Sequence, residues 1–87
     1  MNITLKDVKN NSGLRKASVC RQTGRVVSVY DGELAGMDTI GGRWQTVCED
    51  HSIVIAHETL KLAIWHSADP LGWCEVCMKE HERENNV

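Results

Sequence analysis

Two short stretches constrain this chain more than anything else in it: Cys48-Glu49-Asp50-His51 and, 22 residues later, Cys74-Glu75-Val76-Cys77. Each holds two metal-ligating side chains separated by two residues, a gap that lets one tight turn aim both at a single ion. Two such pairs complete a tetrahedral set. Cys48, His51, Cys74 and Cys77 therefore read as a closed structural Zn²⁺ site. A catalytic zinc ordinarily keeps three protein ligands and one open position. Here four ligands, three of them thiolates, fill the ion and damp the Lewis acidity that hydrolysis needs. A deaminase-type site places Glu two residues after its first ligand, whereas Cys48 is followed by Glu49 and then Asp50. The expectation is a protein without enzymatic activity.

Size makes a metal useful. Eighty-seven residues with no Phe, one Tyr and three Trp form one small domain with a thin core. Structural zinc contributes on the order of 10–16 kcal/mol to folding at neutral pH. Met1 to Lys9 lacks an apolar stretch and carries Lys6, Asp7 and Lys9, so it does not read as a signal peptide. The expected location is the cytoplasm, where paired cysteines bind metal more often than they form disulfides. Cys20, His57, His66 and His81 stay open as substitutes for one of the four ligands; a lone strand cysteine is otherwise a small buried hydrophobe.

Charge is unevenly placed. Residues 1–30 hold six basic residues against Asp7, a net of +5, while residues 31–87 hold four against eleven acids, a net of −7. One reading is a polyanion-binding front built from Lys6, Lys9, Arg15, Lys16, Arg21, Arg25 and Arg43. The other is two solvated surfaces. The second is favoured, because no dense basic block or aromatic interleaving occurs.

Along the chain, residues 1–13 form an N-terminal arm, either docked through Ile3, Leu5 and Val8 or mobile, ending in the breaker Asn10-Asn11-Ser12-Gly13. Residues 14–84 form a single domain. Ala17–Arg21 and Arg25–Tyr30 read as a hairpin around Gln22-Thr23-Gly24, with valines on both faces of the second strand implying cover on both sides. Asp31–Gly42 is a glycine-punctuated loop with one helical turn at Glu33–Met37. Arg43–Val47 and Ser52–Ala56 are strands on either side of the first ligand turn. The helix His57–Ala68 carries Leu60, Ala63, Ile64 and Ser67 at helical spacing, with Leu62 and Trp65 widening the apolar side. Thr59 or His57 caps it, and Asp69-Pro70 stops it. A second helix runs from Cys74 to about Arg83, with Glu80, Glu82 and Glu84 on its solvated side. Residues 85–87 fray.

The order of strand, C-x2-H knuckle, strand and C-x2-C opening a final helix resembles the treble-clef and ribbon zinc fingers over residues 43–83. The resemblance implies a small zinc-stabilised α+β domain: an antiparallel sheet with one or two helices. It departs from the family in placing a helix, not a β-hairpin, between the ligand pairs. Such modules serve protein binding, nucleic-acid binding and plain structural roles. Trp73-Cys74-Glu75-Val76-Cys77 also looks like the motif of thioredoxin-like oxidoreductases, but no strand immediately precedes it, ten residues follow Cys77, and the sole proline, Pro70, comes before it. The expected function is a small interaction or regulatory module with another protein as partner. The alternatives are a nucleic-acid-binding finger and a CxxC redox protein. Trp44, Trp65 and Trp73 are expected to shield the metal and supply the core rather than to form a stacking platform.

Overall fold

The computed structural model describes residues 3–8 and 11–85. Four strands, β1 (Leu14–Val19), β2 (Val26–Asp31), β3 (Trp44–Cys48) and β4 (Ile53–His57), form one antiparallel sheet in sequence order. Three α-helices, α1 (Gly32–Ala35), α2 (Leu60–Ser67) and α3 (Glu75–Asn85), and two 3-10 turns at Leu5–Asp7 and Pro70–Gly72 complete the α+β fold.

Register decides what each face carries. Val27 pairs with Cys48, Val29 with Thr46, Thr46 with Ile55, and Cys48 with Ile53. These residues share the face on which α2 packs, and the Thr46 hydroxyl donates to the Ala63 carbonyl at 2.8 Å. The opposite face holds Val26, Ser28, Tyr30, Val47 and Val54. Its cover comes from residues 3–6, which lie alongside Val19 and Val26, and from Ala35 and Met37, which rim a groove beside Tyr30 and Val47. Val26 to Val29 are all buried, as valines on both sides of one strand require. The N-terminal arm is docked over its described part: the Ile3 amide donates to Asp50 at 2.7 Å, and Thr4 and Asp7 close the 3-10 turn.

Strand limits differ from the sequence expectation by one to three residues, β1 lying earlier and the other three one residue later. β1 starts at Leu14 rather than Ala17, because an irregularity at Arg15 lets Leu14 still pair with Tyr30. β3 continues through Cys48 and β4 through His57, since Cys48 pairs with both Val27 and Ile53 and Trp44 pairs with His57. The helix expected from His57 therefore begins later. Thr59 is its N-cap, accepting the Leu62 amide at 3.2 Å. Its buried face is Ala63 and Ser67 with Leu60 half-buried. Trp65 is 70% exposed and Leu62 47% exposed, so the apolar side does not widen as expected. At 100° per residue, Trp65 lies opposite Ala63 and Ser67, and it is not core.

The long connection from β2 to β3 is closed by a polar clamp. Asp31 caps α1, and Arg43 donates to both its carboxylate oxygens at 2.9 and 2.8 Å while lying over the Trp44 ring. The helical turn spans Gly32–Ala35, shorter and earlier than the expected Glu33–Met37, because Gly36 ends it in the left-handed region. Gly42 at φ 144° passes so close to β4 that a Cβ would meet the His57 carbonyl oxygen at 2.4 Å. Residues 86–87 of the expected frayed end, like Lys9 and Asn10, lie outside the described residues.

The clamp predicts an acid response. Hydrogen bonds from the Arg43 guanidinium hold the Asp31 carboxyl below its ordinary value. A depressed carboxylate pKa contributes stability that is complete above about pH 4 and is lost as pH falls through the lowered value. Asp31→Asn is expected to be less stable at pH 7 and to lose less of its remaining stability on acidification, read from urea denaturation between pH 7 and pH 2.5.

Candidate metal centre

The four expected ligands converge. Cys48, His51, Cys74 and Cys77 each place a ligand atom within 4.8 Å of all the others, and they are the group of this kind among the described residues. His51 Nδ1 lies 3.2 Å from the Cys48 sulfur and 3.4 Å from each of Cys74 and Cys77, and the Cys48 and Cys77 sulfurs are 3.7 Å apart. That spacing is far too long for a disulfide, which needs about 2.05 Å. All four cysteines of the chain are free thiols.

Local structure builds each half. Cys48 ends β3, the turn Glu49–Ser52 brings the chain round, and the His51 amide donates to the Cys48 carbonyl at 3.2 Å. Ser52 takes φ 55°, the left-handed conformation that lets β4 start straight after the ligand. On the other side, the Pro70–Gly72 turn delivers Cys74 to the threshold of α3: the Cys74 amide donates to the Pro70 carbonyl at 2.7 Å. Cys77 follows in the first turn of α3, and its amide points at the Cys74 sulfur at 3.5 Å. The three cysteines are at most 1% exposed, and Ile53, Leu71 and Trp73 wrap them. Trp73 is tied down by its ring N–H, which donates to the His66 carbonyl at 2.8 Å. Trp73 thus does the shielding expected of it, Trp44 stands half-buried under Arg43, and Trp65 takes no part.

Burial pushes the Cys48 thiol up to about 11 and the Cys77 thiol up as well, with the neighbouring thiols adding to the rise at Cys77. Three thiolates do not coexist in such a space without a cation. The donor set, three buried sulfurs and one imidazole nitrogen converging on one point, could hold a metal ion.

Beyond the ligands lies a polar network that the sequence reading missed. His51 Nε2 is 2.6 Å from Glu80 Oε1. Arg25 donates to Glu80 Oε2 at 2.6 Å and also to Asp50. Glu80 is therefore not on the solvated side of α3, where the sequence reading put it. It follows Cys77 by three residues, the spacing that keeps it on the ligand side of a helix, and that spacing was the available signal.

The remaining candidates lie elsewhere. Cys20 is buried at the start of the β1–β2 turn, where its amide donates to the Arg25 carbonyl at 2.9 Å. His57 and His66 stack on each other at 4.6 Å between β4 and α2, and burial lowers the His57 pKa. His81 lies on α3. Of the basic residues, Arg25 and Arg43 direct their charge to internal carboxylates. Lys6, Arg15, Lys16 and Arg21 are exposed, and Lys9 lies outside the described residues. No helix of the described residues is long and apolar enough to cross a membrane. No family model, curated protein or solved structure matches the chain.

The left-handed turn gives a test. Ser52→Val puts a β-branched residue at a positive φ, an outlier for that residue type, and is expected to be less stable than the parent chain, which already bears part of the left-handed cost at Ser52. Ser52→Gly is expected to fold normally. Thermal melts of the two variants check this.

Proposed function

We propose that this chain is a small structural-zinc domain, treble-clef-like in how it holds its metal, whose task is to present a surface to another protein. The observation that carries the metal half is the ligand cluster. A tetrahedral zinc with bonds of about 2.3 Å to sulfur and 2.0–2.1 Å to nitrogen has edges of about 3.8 Å between sulfurs and about 3.5 Å from sulfur to nitrogen. The Cys48–Cys77 separation of 3.7 Å and the three sulfur–nitrogen separations of 3.2–3.4 Å lie close to that frame, and all four ligand atoms are within 4.8 Å of one another. Cys48, His51, Cys74 and Cys77 would hold the ion, and the ion would let the buried thiols ionise together. Four protein ligands leave no place for a substrate, which supports a structural, non-enzymatic role in a reducing compartment such as the cytoplasm. One ligand pair comes from a knuckle between strands and the other from a helix start, which supports the treble-clef likeness.

What supports a protein partner is the outward face of α2. A tryptophan 70% exposed beside Leu62, at 47%, is an uncommon use of apolar surface in a chain short of aromatic residues. A groove lined by Trp65, His66, Ala68, Asp69 and Gly72 adjoins it. Tryptophan is among the residues enriched at the hot spots of protein interfaces.

Elemental analysis of the purified protein is expected to give one zinc per chain. Cys48→Ser and Cys77→Ser are expected to lose zinc and cooperative unfolding, while Cys20→Ser keeps both. If the metal-free protein melts unchanged, the metal reading fails. For the surface, Trp65→Ser is expected to shift stability by no more than about 0.5 kcal/mol, against about 3–5 kcal/mol for a core tryptophan, and to lose partners that the parent chain retains when immobilised. Equal retention by the two would count against this face.

A further inference from the structure

We infer that Glu80 is a positioning residue of the metal centre: its carboxylate, aimed by Arg25, takes the Nε2–H of His51 and so commits Nδ1 to the metal. The inference rests on the metal reading above. A neutral imidazole carries one N–H, and whichever nitrogen holds it is lost as a ligand. In this protein the two nitrogens face opposite surroundings. Nδ1 looks at three sulfurs at 3.2–3.4 Å, and Nε2 looks at Glu80 Oε1 at 2.6 Å. An ionised carboxylate only accepts, so the hydrogen bond requires the proton on Nε2 and leaves the Nδ1 lone pair free.

Two details single out Glu80 over its neighbour. Asp50 Oδ2 is 3.9 Å from His51 Nε2, beyond hydrogen-bond reach, and Asp50 instead accepts from Arg25 and from the Ile3 amide. Glu80 divides its two oxygens, Oε1 to His51 and Oε2 to Arg25 at 2.6 Å. The division has an electrostatic reason. Zinc with three thiolates carries a net negative charge, so two carboxylates beside it would repel it and each other. Arg25, on the sheet side of the cluster, is the cation between them. Cys77 and Glu80 stand one helical turn apart, so α3 supplies both a ligand and the group that orients the ligand from the knuckle. Outer contacts of this kind typically govern metal affinity by 10–100-fold.

The test uses the zinc-loaded full chain, a competing chromophoric chelator to measure zinc affinity, and long-range ¹⁵N–¹H spectra to identify the coordinated nitrogen of His51. Wild type is expected to bind zinc through Nδ1 with Nε2 protonated. Glu80→Ala is expected to bind zinc about 10–100-fold more weakly. Glu80→Gln, which still offers an acceptor to Nε2–H, is expected to lose less and to keep Nδ1 coordination. Glu82→Ala, exposed on the same helix, is expected to match wild type. Wild-type affinity in Glu80→Ala, or His51 bound through Nε2 in wild type, overturns the inference while leaving the metal centre standing. A wild-type chain that binds no zinc overturns both. Should Glu80→Ala fail to fold with zinc, Glu80→Gln decides: reduced affinity, with Nδ1 kept or exchanged for Nε2, supports the inference, and wild-type affinity with Nδ1 coordination overturns it.

Discussion

The convergence of three buried thiols and one imidazole is the constraint on which the C-terminal half depends. The sheet and α2 have packing of their own, through Val26, Val27, Val29, Thr46 and Ala63. The C-terminal helix has little of that kind. Its main packing contact is the short turn just before it, and its ties to the sheet run through Cys74 and Cys77 to Cys48 and His51, and through Glu80 to Arg25. A cation held among those thiols would act as a bolt between two parts that share few element contacts among the described residues. A small domain with few large hydrophobes gains more from such a bolt than from a few extra methylenes.

Charge follows the same economy. The chain is basic in front and acidic behind, and two arginines from opposite sides of that divide do internal jobs. Arg43 closes the long β2–β3 connection onto Asp31. Arg25 separates Asp50 from Glu80 beside the ligand cluster. Asp31 and Asp50 are largely withdrawn from water, where an unpaired carboxylate would be costly, while Glu80 is half-buried. The electrostatic asymmetry is thus partly spent on holding the fold, and this lessens the case for reading it as a polyanion-binding surface.

The ligand cluster and the outward face of α2 lie on different parts of the fold. Every ligand is turned inward, and the cluster is wrapped by Ile53, Leu71 and Trp73. Trp65 points away from the core on a helix held at its far side by Ala63 and Ser67. An exposed tryptophan on a helix fixed at its far side is the observation behind the proposed recognition surface.

Local spacing carried most of what was legible in advance. The two-residue gaps announced the ligands, β-branched and alternating runs announced four strands, Asp69-Pro70 marked the end of α2 while its start was open between His57 and Thr59, and each of these is set by neighbours within a turn or two. Reading failed where a residue's surroundings come from far along the chain. Helical spacing alone assigned Trp65 to the core and Glu80 to solvent. Which side of a helix is inside depends on the sheet it meets: α2 settled on Ala63 and Ser67 so that the Ala63 carbonyl could take the Thr46 hydroxyl, and Glu80 turned inward because His51 and Arg25 were there to receive it. The sequence by itself determined that four ligands would meet and which elements would carry them. Only the tertiary structure decided what oriented those ligands, because Arg25 and Glu80 are 55 residues apart and nothing short of folding brings them together.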